Sequence, residues 1–386
     1  MNKKSKLHMT TEEFRKAGYK TVDWIANYYD HIEDYPVFPK VKPGEIRSML
    51  PDHPPQKGRQ YEEILQDMNT MMPGITHWQS PNFHAFFPCA TSGPAILGDL
   101  ISTGLGINGM NWVTSPSATE LESHVLDWLV DMMDLPKKFK STEIGGGVLQ
   151  DTASSSSLVA LIAAREKTSK GEINKNGYNH KLTVYTSSQA HSSIEKAVKI
   201  AGIGKNNLRL VDVDDSFAMD VNHLRKLILQ DIDNGLQPSY ICATVGTTSS
   251  TAIDPVEEIG LICKEFGIWL HVDAAMAGPA ALCPEYRFIN NGVDYADSYT
   301  FNPHKWMLTN FDCSVFYVAK RELLIDAMTI LPEYLKNKAT ESQTVFDFRD
   351  WGIPLGRRFR ALKLWNVINY YGITGLQEYI HEHMRN

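Results

Sequence analysis

The run Ile268-Trp269-Leu270-His271-Val272-Asp273-Ala274-Ala275, read with Asn302-Pro303-His304-Lys305-Trp306, decides the fold. An apolar run that ends on a carboxylate reads as a short strand carrying a charge to the carboxyl edge of a sheet, where α/β proteins bind ligands. The second run sets a lysine behind a proline and a histidine, downstream of another β-like run, Ser298-Tyr299-Thr300-Phe301. A carboxylate that can keep a ring nitrogen protonated, with a lysine that can form an imine, is the pair that pyridoxal phosphate (PLP) chemistry requires. Each residue alone has a plainer reading: a strand-end aspartate is commonly a cap, and a lysine a solvated surface charge. The pair gains its weight from the rest of the chain.

Outward from this pair the chain alternates. Strand-like runs at 182–185, 208–213, 240–245 and 268–272 are separated by helical runs at 191–201, 221–231 and 256–266. That alternation implies βαβ units and a mostly parallel sheet covered on both faces. Residues 145–157 read Gly-Gly-Gly-Val-Leu-Gln-Asp-Thr-Ala-Ser-Ser-Ser-Ser and lead into a helical run at 158–167. Glycines and small hydroxyls at a helix N-terminus leave backbone N–H groups converging on one spot, which suits a phosphate. A flexible serine linker is the plainer reading, but a linker would not run straight into an apolar helix. The Walker pattern G-x-x-x-x-G-K-[ST] is absent. Gly104-Leu105-Gly106-Ile107-Asn108-Gly109 matches G-x-G-x-x-G, yet the segment before it looks helical. The dinucleotide fingerprint needs a strand there, so this match is a loop and no NAD site.

Upstream, Thr10-Thr11-Glu12-Glu13 is a capping box, and Phe14, Ala17, Val22, Ile25, Tyr28 and Ile32 recur at near-helical spacing. Such a helix packs on its own domain or clasps a partner subunit, and sequence alone favours the former. Six prolines make 36–58 an extended connector, and a helix at 61–72 stops at Pro73-Gly74. Residues 80–88 form an aromatic loop between prolines, either a cover for the core or a wall for an aromatic ligand. Residues 117–133 read as a helix, 331–340 as an exposed polar loop and 361–371 as a helix, with another helical stretch shortly before Asn386. The 386 residues are 43% hydrophobic and 22% charged, ordinary for a globular protein. A net charge of -7 without a basic stripe argues against nucleic acid. Five scattered cysteines form no C-x-x-C, so neither a disulfide framework nor a zinc knuckle is indicated. No apolar h-region follows the basic N-terminus and no run reaches membrane length, which fits a reducing cytoplasm.

Together these segments resemble the PLP-dependent group II decarboxylases, most closely the aromatic-L-amino-acid decarboxylases. The motifs are Asn302-Pro303-His304-Lys305-Trp306, His271-Val272-Asp273-Ala274-Ala275, Gln189-Ala190-His191-Ser192-Ser193, Gly246-Thr247-Thr248 and Ile353-Pro354-Leu355-Gly356-Arg357-Arg358-Phe359-Arg360, in family order across essentially the whole chain. The resemblance implies an α/β fold of the aspartate aminotransferase type (fold type I). Residues 1–80 would be an N-terminal helical, dimerising segment, 81–350 the PLP-binding large domain, and 351–386 the start of an incomplete C-terminal small domain. It implies that Lys305 carries the cofactor, that Asp273 pairs with the pyridinium nitrogen and that His191 stacks on the ring. Thr152, Ala153, Ser154 and Asn302 would hold the phosphate, with Thr248 and His304 also touching the cofactor. Tyr334 matches the mobile-loop tyrosine that handles the proton after CO2 leaves. Phe86, Phe87, Cys89 and Trp112 fall where the family builds its substrate pocket at a homodimer interface. Departures from common family patterns stand at Phe86, Cys89, Asp151 and Met276, and they touch substrate choice rather than chemistry.

The expectation is therefore decarboxylation of aromatic L-amino acids to amines and CO2, with PLP and no metal. Within the family the alternatives are an aldehyde synthase, which goes with phenylalanine at the position of Tyr334, and a histidine decarboxylase. Outside it stand a catalytically inactive PLP-binding protein and a metal hydrolase using His271, Asp273 and His304. The last is a poor ligand set, since a third ligand on the same face is unspecified.

Overall fold

The computed structural model describes residues 8–330 and 345–386. The chain divides into two compact units, Met1–Phe86 and Phe87–Asn386.

In the first unit, helix α1 (Thr11–Asp30) opens on the expected capping box. The Thr10 hydroxyl accepts the Glu13 amide at 3.2 Å, and the Glu13 carboxylate accepts the Thr10 amide at 2.8 Å. Two amide groups that the helix itself leaves unpaired are thereby satisfied. The short helix α2 (Glu45–Met49) interrupts the proline-rich connector, which was expected to hold no regular element. Its first turn is seeded locally, Glu45 accepting the Lys42 amide at 2.9 Å. Helix α3 (Tyr61–Met71) is tied to α1 by Lys20–Glu62 at 2.6 Å and Thr21–Tyr61 at 3.0 Å. α1 packs on its own unit through part of its surface: Ala17 is buried and Trp24, Ile25 and Tyr28 are half-buried, while Phe14 is 60% and Tyr19 67% exposed.

The second unit opens with α4 (Gly93–Leu105) and α5 (Pro116–Met132). The dinucleotide-like glycines sit at the end of α4, where Gly106 takes φ +62 as a helix cap. A seven-stranded sheet follows: β1 (Gly146–Gln150), β2 (Leu182–Ser187), β3 (Leu208–Val211), β4 (Gln237–Thr244), β5 (Trp269–Asp273), β6 (Ser298–Phe301) and β7 (Ser314–Val318). Their order is β1-β7-β6-β5-β4-β2-β3. β3 to β6 run parallel through β2, β4 and β5, and β7 is antiparallel to both its neighbours. The sheet is thus mostly parallel, as expected. Between the strands lie α6 (Ala153–Ser169), α7 (Glu172–Asn176), α8 (Ser193–Ile200), α9 (Val221–Asp233) and α10 (Val256–Phe266). After β6 come α11 (Pro303–Trp306), α12 (Arg321–Met328) and α13 (Ala361–Arg385).

Strand side chains alternate between two cores. Leu270 and Val272 join Tyr299, Phe301, Val315 and Tyr317 on one face, with α5, α9, α10 and α13. Trp269, Tyr240, Cys242 and Phe316 join the other, with α6, α8 and α12. Each fully buried large side chain adds about 1.5–3 kcal/mol by leaving water. β1 lies inside the glycine run that sequence reading placed at a helix N-terminus, and α6 begins five residues earlier than expected. The glycines have a packing reason: a Cβ on Gly147 would lie 2.6 Å from the Tyr317 ring, and one on Gly145 2.2 Å from the Lys138 carbonyl. Opposite the wide residues of β7, only glycine lets the strand close.

Candidate active site

Parallel strands deliver their last residues to one edge. In register, Thr244 at the end of β4 faces Asp273 at the end of β5, and Asp273 faces Thr300 of β6. β1 points the same way and continues through Asp151 into α6. At this edge lies a cavity of about 210 Å³ whose lining includes Thr152, Ala153, Ser154, His191, Thr248, Asp273, Asn302, His304 and Lys305. All nine residues that sequence reading assigned to cofactor contact therefore meet in one place. Thr244, Gly246, Ala275, Met276, Phe87 and Phe311 complete the wall.

Asp273 is 5% exposed, and its Oδ1 accepts the Ala275 amide at 3.0 Å. Lys305 sits one turn into α11, a single helical turn begun by Pro303 in the first position, where its missing N–H is not needed. Burial pushes the Lys305 ammonium below its usual range, with the Asp273 carboxylate opposing the shift. Its Nζ lies 5.0 Å from the centroid of Phe87. Thr152 caps α6 in extended conformation. Ala153 and Ser154 are its first two helical residues, so their amides have no partner within the helix and stand at its positive end.

The histidines are set by their neighbours. Nδ1 of His304 accepts the Cys313 amide at 2.9 Å, which places its proton on Nε2. Burial, then the Lys305 charge, pushes this imidazole down to about 4. His191 is exposed, and its Nδ1 likewise accepts an amide, that of Ser193, at 3.1 Å. Behind the cavity His271 is fully buried. The Ser298 hydroxyl accepts the Trp269 indole N–H at 2.8 Å and shares a hydrogen bond with His271 Nδ1 at 2.9 Å. Burial pushes His271 down to about 4.

Other expected residues lie elsewhere. Phe86 belongs to the first unit, where its ring lies 5.9 Å from Trp78. Cys89 is half-buried and outside the cavity lining, its thiol pushed up by desolvation. Trp112 lines a separate cavity of about 370 Å³ with Glu120, His124, Asp127 and Phe346, and its indole donates to Glu120 at 2.8 Å. That cavity is the larger, but its lining holds no lysine. Tyr334 lies outside the described residues. Among residues not anticipated, Thr244 was legible, because strand-end reasoning applied to β4 points to it. Phe311 carried no sequence signal, since an irregular turn before β7 brings it in.

Pyridoxal phosphate fits this lining. Thr244 Oγ1 and Asn302 Oδ1 are buried without a hydrogen-bond partner, an expensive state unless a ligand supplies one. Two free amides at the start of α6 suit a phosphate, Asp273 suits a ring N–H, and an amine of lowered basicity suits a carbonyl.

Residues 43–386 match the pyridoxal-dependent decarboxylase conserved domain. Tryptophan decarboxylase 2 of Oryza sativa subsp. japonica is 48% identical over 381 residues, 97% of this chain and 76% of that protein. Phenylacetaldehyde synthase of Arabidopsis thaliana is 48% identical over 380 residues, 98% of this chain and 77% of that protein. The crystal structure of Oryza sativa TDC with PLP and tryptamine superposes with a TM-score of 0.92 at 41% identity, covering 96% of this chain and 76% of that one.

Proposed function

The chain belongs to the pyridoxal-dependent decarboxylases, and from that premise we propose that it converts aromatic L-amino acids to aromatic amines and CO2. The supporting observation is the meeting of Lys305, Asp273 and the α6 N-terminus in one cavity that also holds two unpartnered buried polar atoms. Bound PLP supplies an electron sink for the pair left behind when CO2 departs. Lys305 would hold it covalently through Nζ, and burial shifts its amine toward the neutral form this needs. The Asp273 carboxylate, fixed by the Ala275 amide, would keep a ring nitrogen charged. The amides of Ala153 and Ser154, with Thr152 and Asn302, would hold the phosphate. His191 would lie on the ring face, and His304 and Thr248 at its rim. Nε2–H of His304 can donate but cannot take up a proton at that nitrogen.

For the substrate side we assign Phe86, Phe87, Cys89 and Trp112, in a homodimer whose site lies at the subunit interface. The exposed apolar face of α1, with Phe14, Tyr19 and Val22, supports residues 1–80 as the dimerising segment. By the same family reading, 81–350 would be the PLP-binding domain and 351–386 the start of the small domain. Light scattering of the purified chain reads the oligomeric state directly. Five free cysteines fit a reducing, cytoplasmic setting. Among the described residues no helix is long and apolar enough to cross a membrane.

The similarity to an aldehyde synthase gives a second reading, and Tyr334 separates the two. A phenol can donate a proton to the α-carbon after CO2 leaves, and phenylalanine cannot. We assign that role to Tyr334, so amine is the expected product. The test combines three measurements. Borohydride reduction and peptide mapping should place the pyridoxyl group on Lys305. A panel of amino acids should yield amines from tryptophan, tyrosine or DOPA, ahead of glutamate. Tyr334→Phe should divert product to aldehyde, ammonia and peroxide. A label on another lysine, or glutamate as the fastest substrate, overturns the reading.

A further inference from the structure

The two residues that flank Lys305 are each anchored by a side-chain hydrogen bond. On one side His304 Nδ1 accepts the Cys313 amide. On the other, the Trp306 indole donates to Nδ1 of His383, near the end of α13, at 2.9 Å. The Trp306 and His383 rings are nearly parallel, 8° apart, and Trp306 is 8% exposed. His383 is in turn braced by Tyr379, whose ring centroid lies 4.3 Å away.

α11 is one turn long, so its own ladder cannot hold it. Met307 donates to the Pro303 carbonyl at 3.1 Å and Lys305 to the Asn302 carbonyl at 2.9 Å, the His304 backbone is tied to Ala90 at 2.8 Å and Cys313 at 3.3 Å, and the side-chain anchors add to these, the Trp306 bond alone holding the turn beyond Lys305 to α13. The helix that carries His383 is itself fastened to the segment following β5. Gln377 donates to the Leu282 carbonyl at 2.8 Å, and His381 meets Glu285 at 2.6 Å. α13 therefore joins the Asp273 side of the cavity to the Lys305 side from outside the cavity lining. Nothing in the decarboxylation chemistry above uses it.

We propose that His383 is a positioning residue for Lys305, acting through the Trp306 indole to hold α11 where Nζ enters the cavity. The proposal rests on the reading that Lys305 carries the cofactor. An acceptor lost at His383 frees the indole, the turn shifts, and the distance between the amine and Asp273 changes without loss of either group.

The test uses the PLP-loaded full chain and four variants: His383→Phe, His383→Asn, Trp306→Phe and the double His383→Phe/Trp306→Phe. Phenylalanine keeps the ring and removes the acceptor, while asparagine places an oxygen close to the position of Nδ1. Three quantities are read: the pH midpoint of the bound cofactor's absorbance change, kcat and KM separately, and the thermal unfolding midpoint. Displacements well under an ångström cost about tenfold in rate, so His383→Phe should lower kcat about tenfold with KM changed less than about twofold. The absorbance midpoint should move by about half a pH unit or more, as expected when a lysine's charged neighbour changes distance. Asparagine should restore both, and the double variant should be no worse than either single one. An unmoved absorbance midpoint with only a lower unfolding temperature shows plain structural support and overturns the proposal. So does a double variant whose losses multiply. Should His383→Phe not fold, Trp306→Phe and His383→Asn decide by the same absorbance criterion. Reduction of the wild type keeps the two claims apart. A label away from Lys305 overturns the functional reading and this proposal with it; a label on Lys305 with an unmoved midpoint overturns this proposal alone.

Discussion

Acid should weaken this chain at a slope set by three buried groups, and single substitutions should change that slope in opposite directions. His271 and His304 are both pushed from 6.5 down to about 4, chiefly by burial. Below pH 6.5 the unfolded chain takes up a proton at each and the folded chain does not. Their contribution is present above 6.5 and lost as the pH falls toward about 4. Asp254 does the reverse. Burial raises its carboxyl from 3.8 to about 6, against the amides of Thr244 and Met219, which it accepts at 2.7 and 2.8 Å. A raised carboxyl pKa adds stability that is fully present below 3.8 and lost as the pH climbs through about 6. Between pH 6 and 4.5, two protons favour the unfolded state and one the folded, a net of about one. Each net proton is worth about 1.4 kcal/mol per pH unit, so these three groups together should take about 2 kcal/mol from the wild type over this range. His271→Asn removes one of the two and should leave stability nearly flat. Asp254→Asn removes the opposing proton and should double the loss to about 4 kcal/mol. Other shifted groups, such as Asp312 (lowered) and Asp350 (raised), are common to all three proteins and cancel in the comparison. The assay is urea unfolding followed by tryptophan fluorescence at half-unit pH steps. Equal slopes in the three proteins would refute the assignment of neutral buried imidazoles.

Three further outcomes follow from the geometry. Asp273→Asn keeps the shape of the side chain and removes a buried charge whose loss is worth about 3–5 kcal/mol, so turnover should fall at least about a hundredfold while absorbance shows cofactor still bound. Gly246 holds φ +85, and a Cβ there would lie 2.8 Å from the Ala277 Cβ. Gly246→Ala should therefore cost about 1–3 kcal/mol in thermal unfolding and loosen cofactor retention measured by dialysis. Glu122 pairs with Arg357 at 2.6 Å and accepts the Leu149 amide at 2.8 Å, all of them buried. Glu122→Ala strands the Leu149 amide and removes the charge partner of Arg357, which keeps the Leu149 carbonyl at 2.9 Å, so it should cost about 3 kcal/mol in urea unfolding, and Glu122→Gln, which keeps an acceptor, visibly less.

The chemical half of the site was legible because it depends on residue type at strand and helix ends. Asp273 closes an apolar strand, Lys305 sits in a proline-started turn, and the small residues at 152–154 open a helix. Those cues are local. What was not legible depends on partners distant in sequence. The glycines at 145–147 look like the approach to a helix N-terminus until the Tyr317 ring of β7 is laid against them. The periodic face of α1 announces a buried stripe, but it cannot say how much of it is covered: Ala17 is buried and Ile25 and Tyr28 half-buried, while Phe14 and Val22 lie open in this unit. Trp112 matches the family in sequence, while its indole is engaged by Glu120 at another cavity.

Adjacent strand ends also act as a ruler. Thr244, Asp273 and Thr300 stand on consecutive rungs of parallel strands, and rung spacing in any sheet is held near 4.8 Å by backbone hydrogen bonds. No side-chain replacement in the two cores can stretch that interval much. Thr244 and Asp273, which line the cavity, are therefore graduated by the main chain, whereas Phe87, Met276 and Phe311 on the same wall hang from irregular segments with no such scale. Drift in a lineage can move those three residues, and with them the outline offered to a substrate, while Thr244 and Asp273 keep their pitch.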